Sequence, residues 1–287
     1  ITFLHELCHA VGLKHPHERG LLMQPRFPGL QRWSNEYRDK GIYNQNAHPF
    51  TQLSYVDKGA RNGYVPQKIE DFGFLKSLGA LDIAALQWLY GVNIDHATGS
   101  NVYWLPIENK DCTGWKAIWD AGGRDRIDGS RAKTSVTIDL RNATLDQSEH
   151  AGGYISSVEG VFGGFTIAHD WNGATPEDSA GLCIIEDATG GEVDDRLIGN
   201  MASNRLRGRK GDDLLYGGVG GRDVLIGGRG RDQFWIDTRP GSFAKVKDFR
   251  VGIDQLVFSV QKIDLSLERV GRHLVIEHAD SPVARLL

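Results

Sequence analysis

The first twenty residues, ITFLHELCHAVGLKHPHERG, place histidines at His5, His9 and His15, with Glu6 beside the first and Gly12 between the last two. Residues four apart share one face of a helix, so His5 and His9 project together and can grip a single ion. Gly12 suits the left-handed conformation that ends a helix and reverses the chain, which returns His15 to the same ion. Three neutral imidazoles plus a water make an open, catalytic zinc site rather than a closed structural one. Glu6 sits one position round, close enough to work on that water. Phe3, Leu4, Leu7, Ala10 and Val11 suit a buried helix, so the polar trio is not a solvated stripe. HExxH alone recurs by chance, whereas the longer HExxHxxGxxH is far more specific. Cys8 lies off the histidine face and is expected to be a small buried thiol. His17 follows too closely to add a ligand and is expected at the surface.

A second chemistry is written in glycine, 36 residues in all and dense in the second half. GGEVDDRLI, GNMASNRLR, GRKGDDLLY, GVGGRDVLI and GGRGRDQFW begin at Gly190, Gly199, Gly208, Gly218 and Gly227, with Gly217 as the one extra residue. They fit the nonapeptide GGxGxDxUx, where U is a large apolar residue. Position six reads Asp195, Asn204, Asp213, Asp223 and Asp232. Position eight reads Leu197, Leu206, Leu215 (Leu214 if the register slips), Leu225 and Phe234. Glycines, including Gly211, Gly220, Gly228 and Gly230, let six residues turn tightly and present carbonyls. The acid adds a charged oxygen, and such hard donors suit Ca²⁺. The last three residues form a short strand whose apolar side chain enters a narrow core. Two nonapeptides complete one turn of a parallel β-roll. Asp195, Asp213 and Asp232 then line one edge, Asn204 and Asp223 the other, with about two interloop calcium sites on the first and about one on the second. A flexible linker would not hold an acid and an apolar residue in register. Val193, Arg209 and Val219 stand where glycines belong, so some carbonyl geometry is expected to be lost.

These patterns need ordered carriers. A chain of 287 residues is long enough for two domains and a real core. Its 40% hydrophobic and 24% charged residues are those of a soluble globular protein. The net charge of −4 gives no basic footprint for nucleic acid. No apolar run approaches the roughly 20 residues of a membrane span. Cys8, Cys112 and Cys183 are too few and too odd for a disulfide framework. With no initiator Met, no signal peptide and a helical start, the true N-terminus is expected upstream. LDIAALQWLYG reads as a second helix with Ile83, Leu86, Leu89 and Tyr90 on its apolar face.

The extended histidine pattern resembles the metzincin metalloproteases, and Pro16 after His15 narrows this toward the serralysin group of secreted bacterial proteases. FTQLSYVD is similar to that group's MSY turn beneath the zinc, with Leu53 in place of Met and Tyr55 on the zinc-proximal tyrosine. LDIAALQWLYG is similar to the helix that ends the group's catalytic domain. WDAGGRDRID resembles a family calcium loop, which implies Asp120, Gly122, Gly123 and Asp125 as ligands, with Glu186 completing the site. NIDHATGSNVY resembles the first calcium loop, Gly99 being its least ambiguous position. VKDFRVGIDQLVFS resembles the closing strand, with Asp248 and Asp254 as further candidate ligands. DWNGATPEDSAG, from Asp170 to Gly181, reads as an inserted surface loop.

The resemblance runs from Ile1 to about Ser259 and implies an α+β chain. Residues 1–93 would be the C-terminal part of a metzincin zinc-protease domain. Residues 94–287 would be an all-β, calcium-binding β-roll (RTX) domain, its repeats at about 190–235. The implied product is a secreted, extracellular zinc metalloendopeptidase acting on proteins or peptides, monomeric and exported by type I secretion machinery. It would carry one catalytic Zn²⁺ on His5, His9 and His15, with Glu6 moving the proton, Tyr55 stabilising the oxyanion, and several structural Ca²⁺. In metzincins the sheet that holds substrate precedes the zinc helix, so this chain alone is expected to cleave poorly. Two other readings stay open: a calcium-binding secretion or adhesion module with an inactive protease remnant, and an intracellular zinc hydrolase with an incidental glycine-rich tail.

Overall fold

The computed structural model describes residues 2–18, 30, 41, 45–47, 49–56, 72–144, 148, 150–169, 183–258, 265–271, 273–278 and 281–287. The expected insertion at Asp170–Gly181 lies outside them.

The structure is mostly β. The repeats give the short strands Arg196–Ile198, Arg205–Lys210, Leu214–Tyr216, Arg222–Arg229 and Gln233–Ile236. Successive strands alternate between two sheets, so strands two repeats apart pair in parallel. Leu215 lies opposite Leu197 and Phe234 in one sheet, and Leu206 opposite Leu225 in the other. All five of these side chains are 0% exposed, so position eight points inward and Leu215, not Leu214, belongs to the core. This is a parallel β-roll.

The coil outlasts the repeats in both directions. Upstream, Arg126–Asp128, Val136–Asp139 and Asp187–Thr189 continue it, with Ile127, Ile138 and Ala188 in the same inward rows. Downstream, Phe243–Val246 and Gln255–Phe258 add Val246 and Leu256. The inward rows of both sheets pack as one core. What persists beyond the glycine motif is the apolar residue at each inward position, and that is what a roll buries. The second sheet then changes character. Leu265–Val270 and His273–His278 pair antiparallel, as do His273–His278 and Ser281–Leu286. Ser281–Leu286 returns to lie parallel to Phe243–Val246, with Ala284 opposite Ala244.

Two helices lie among the described residues, Thr2–Ala10 and Ala80–Tyr90, and the second packs Ala80 and Ile83 against Ala117, Ala143 and Ala168 beside the first sheet. Both depart from their expected burial. On the first, Phe3 and Leu7 are 82% and 45% exposed and only Cys8 is buried, because the helix is packed on the histidine side alone. On the second, Leu89 and Tyr90 are exposed while Ala80, Asp82, Ala84 and Gln87 are buried. The cause is Asp82, whose carboxylate accepts the Thr51 hydroxyl (2.6 Å), the Gln52 N–H (2.6 Å) and the Gly79 N–H (2.8 Å). Three donors draw this polar face inward against residues 49–56. The Tyr90 hydroxyl donates to the Val11 carbonyl at 2.9 Å, tying the two helices together. Phe74–Leu75 pairs in parallel with Gly114–Ile118 and joins this region to the first sheet. No helix among the described residues is long and apolar enough to cross a membrane.

The inward register is testable. Leu215→Ala should cost about 2–5 kcal/mol of stability in urea unfolding with calcium present, as buried leucines do. Leu214→Ala, on the outward face, should cost less than about 1 kcal/mol. Equal losses would place the register one residue off.

Candidate metal centres

Gly12, at φ +96°, ends the first helix. Its N–H bonds to the His9 carbonyl (3.0 Å) and the Leu13 N–H to that of Cys8 (3.0 Å), which closes the reversal. His15 thereby returns to His5 and His9, and one nitrogen from each ring lies within 4.8 Å of the others. The second nitrogen of every ring faces a backbone carbonyl: His5 Nδ1 to Gln52 (2.9 Å), His9 Nδ1 to Leu13 (2.9 Å) and His15 Nδ1 to Leu53 (2.7 Å). Each Nδ1 must donate, so each neutral ring keeps its lone pair on Nε2. His9 Nε2 and His15 Nε2 are 3.0 Å apart, and with both lone pairs turned to that point a metal ion between the rings would satisfy them. Burial, with His9 and His5 alongside, lowers the pKa of His15 and favours this neutral form. The donor set fits zinc.

Tyr55 stands at the same point, its hydroxyl 2.9 Å from His15 Nε2 and its ring stacked on His5. Leu53 is buried, and its carbonyl is what holds His15; that contact does not depend on the side chain that replaces Met. Glu6 is exposed on the helix between the two ligands. Cys8 is buried, and burial followed by Asp82 pushes its thiol up to about 11, so it is inert. His17 corrects the expectation of a surface residue. It is half-buried with its ring stacked on His15 (5.0 Å between centroids), because the turn at Pro16 folds it back.

The loops assigned to calcium also converge. Asp120 and Asp125 are 0% exposed. The Asn101 side chain donates to Asp120 (3.2 Å) and to the Gly99 carbonyl (2.8 Å), and the Asn101 N–H donates to Asp125 (2.7 Å). The Asp125 N–H donates to Glu186 (2.8 Å), and the Gly122 N–H to Asp120 (3.1 Å). Gly123 approaches so closely that a Cβ there would sit 2.5 Å from the Gly99 carbonyl oxygen. Asp125 Oδ2 is buried without a hydrogen-bond partner, and burial, then Asp120 and Glu186, raise its pKa to about 6. An orphaned carboxylate oxygen amid carbonyls fits a hard cation.

In the roll, the first edge stacks Asp195, Asp213 and Asp232, all under 5% exposed. Asp213 Oδ2 is likewise buried and unpartnered, and burial, then repulsion from Asp195 and Asp232, push it up to about 8. The repeat-opening glycines are pressed against these carboxylates. A Cβ on Gly190, Gly208 or Gly227 would meet the Oδ2 of Asp195, Asp213 or Asp232 at 2.0–2.3 Å. Gly211, Gly228 and Gly230 turn with positive φ in the same loops. Arg209 keeps that geometry despite its side chain. It sits at φ +92°, a strain of about 1–2 kcal/mol, with its guanidinium bonded to the Ser130 carbonyl at 2.8 Å. The second edge is built differently. Asp223 is buried and raised to about 7, chiefly by burial, while Asn204 spends its amide within the protein. Its Nδ2 donates to the Glu186 carbonyl and Asn200 Oδ1, and its Oδ1 accepts the Asn200 N–H. Gly199 packs on Asn204 Oδ1, and Gly218 and Gly220 turn with positive φ. The two oxygens of Asp248 accept the Gly227 and Gly228 N–H groups (3.0 and 2.8 Å).

Residues 87–278 match the family described as "Peptidase M10 serralysin C terminal". The chain belongs to the serralysin family. It is 34% identical to Serralysin B of Dickeya chrysanthemi over 69% of this chain and 35% of the relative. It is 32% identical to the serralysin of Photorhabdus laumondii over 72% and 38%. With Metallopeptidase AprA of Pseudomonas marginalis it shares 31% over 97% of this chain and 52% of the relative. The chain thus spans about half or less of the length of these curated relatives.

In this serralysin-family chain the motifs name the ligands but not their supports. Asp82 and Gln52, which brace His5, were missed. An acid three residues after Gly79 signals a helix start, and nothing in that signal reports what else the carboxylate holds. The acid column carries a pH signature. Without calcium, the folded roll holds a proton on Asp213 that the unfolded chain releases near its ordinary 3.8. That stabilisation is complete below about pH 4 and disappears as pH rises through about 8. Circular dichroism in EDTA should show more β-structure at about pH 5 than at about pH 8.5. Asp213→Asn should remove the part of the change above about pH 7, and an inverted trend would refute the assignment.

Proposed function

We propose that this chain belongs to a secreted, calcium-dependent zinc metalloendopeptidase that hydrolyses proteins or peptides. Residues 1–93 form the C-terminal part of its metzincin catalytic domain and residues 94–287 its calcium-binding roll. The observation that carries this reading is the convergence of His5, His9 and His15, each Nδ1 committed to a carbonyl and each Nε2 turned to a shared point. Zinc held there supplies a Lewis acid that polarises the scissile carbonyl and acidifies a water to a pKa of about 7. Glu6, exposed beside His5, takes the water proton and delivers it to the leaving amine. The Tyr55 hydroxyl donates to the developing oxyanion. Gln52, Leu13 and Leu53 keep the three rings from turning through their carbonyls, and Asp82 fixes the Gln52 backbone.

Calcium serves the fold. Asp125 is repelled by Asp120 and Glu186, and Asp213 by Asp195 and Asp232, until a cation joins each group. The names of the relatives, serralysins and a metallopeptidase, agree with this chemistry. Extracellular location, export through a type I machinery and a monomeric state complete the proposal, and peptide cleavage is assigned to the full-length protein.

In the full-length protein, Glu6→Gln should leave zinc content unchanged and lower casein hydrolysis by about 10²-fold or more. Loss of zinc along with activity would argue for a structural Glu6. Asp82→Ala should weaken zinc retention by about 10–100-fold in a chelator competition, since it frees the segment that aims His5. Unaltered retention would show that Asp82 does not act through His5.

A further inference from the structure

Along the first edge of the roll one contact repeats. The Asp195 N–H donates to Asp213 Oδ1 (2.9 Å), the Asp213 N–H to Asp232 Oδ1 (3.1 Å), and the Asp232 N–H to Asp254 Oδ1 (3.1 Å). Asp254 therefore prolongs the column by one turn. Its loop, FRVGID, keeps the glycine of position four and the acid of position six but has lost the opening glycines. The gap between each pair of turns is where position-four carbonyls and position-six carboxylates face one another. In the last gap a side chain already stands. Arg250 Nη2 donates to the Gly230 carbonyl and to Asp254 Oδ1 (2.9 Å), and lies 3.4 Å from Asp232 Oδ2. Its Nε reaches Asp254 Oδ2 at 3.2 Å. Gly230 and Asp232 are donors that the repeat assigns to calcium.

We propose that the Arg250 guanidinium is a built-in cation in the last calcium position of this edge, which therefore binds no ion between Asp232 and Asp254. The Asp232 and Asp254 side chains are 1% and 0% exposed, so two buried carboxylates meet there and a positive charge between them is strongly favoured. A guanidinium offers several N–H donors in one plane, enough to serve a carbonyl and two carboxylates together, and it never gives up its charge. The gap at Asp213 is the contrast, since Asp213 Oδ2 has no hydrogen-bond partner. The last turn, followed by the strand Gln255–Phe258, is thus closed without calcium, and it offers the upstream turns a finished template on which to order when calcium arrives. The inference rests on the calcium reading of the roll proposed above.

Hydrogen exchange of the full chain in EDTA and in millimolar calcium, with calcium counted by equilibrium dialysis, tests it. Calcium should slow exchange across residues 195–216 and leave residues 250–258, already protected in EDTA, unchanged. Arg250→Gln should lose protection of 250–258 in EDTA, with exchange faster by about tenfold or more, regain it in calcium, and bind one additional calcium per chain. The inference is overturned if calcium slows 250–258 in the parent as much as 195–216, or if the folded variant binds no additional ion. Should the variant stay unfolded in calcium, the parent comparison decides alone. Absence of any calcium response at 195–216 would instead overturn the calcium reading itself.

Discussion

A buried aspartate whose Oδ1 accepts the backbone N–H of the preceding turn is the contact that sets one coil upon the next. It recurs from Asp195 through Asp213 and Asp232 to Asp254, and on the other edge from Asn204 to Asp223. The contact needs an oxygen at a fixed place inside the turn, so it draws a carboxylate out of water. The interior it guards is thin, one or two buried apolar side chains per short strand. A thin core cannot absorb several buried charges, and each edge must be neutralised by other means. The molecule shows three solutions. Asn204 replaces the acid by an amide that satisfies itself. Asp139 and Asp237 each carry a folded-back arginine, Arg141 and Arg239. Asp213, between Asp195 and Asp232, leaves its Oδ2 without a hydrogen-bond partner, open to a cation.

The histidine cluster obeys the same logic with the charges exchanged. Lone pairs, not carboxylates, are gathered at one point, and backbone carbonyls do the aiming. Two of those carbonyls belong to Gln52 and Leu53 on a single turn, and that turn is pinned by the buried Asp82 at the start of the second helix. Phe74–Leu75 then joins the same stretch of chain to the first sheet beside Gly114–Ile118. The support of the candidate metal ligands is thus continuous with the roll through this strand pair and through the packing of Ala80 with Ala143 and Ala168.

What the sequence made legible was whatever repeats or whatever has a fixed spacing. The nine-residue period placed Leu197, Leu206, Leu215, Leu225 and Phe234 inside, and the return of His15 follows from Gly12. Upstream, Ile127 follows Gly122, Gly123 and Asp125 of a loop the resemblance had already marked, whereas the strand at Ile138 has no such loop before it, although the inward residue persists. Helix faces were misjudged at Leu89 and Tyr90, since a polar anchor such as Asp82 can outweigh an apolar stripe and leaves no periodic trace. His17 was misplaced because the turn at Pro16 folds it back onto the rings of His15, two residues earlier, and of Tyr55. The last three strands carry no motif, and only their pairing with Phe243–Val246 reveals what they do.

That pairing bears on how the roll ends in its second sheet. A parallel roll is in principle endless, because its final coil exposes a row of unpaired N–H and C=O groups ready to template another. In the second sheet the place of the next coil is taken by Ser281–Leu286, and two antiparallel strands follow it outward. The outermost, Leu265–Val270, is short, largely exposed and carries Glu268 and Arg269. Reversing the strand direction breaks the repeat, so a second roll meets a surface it cannot continue. The hairpin is an end-stop for the second sheet.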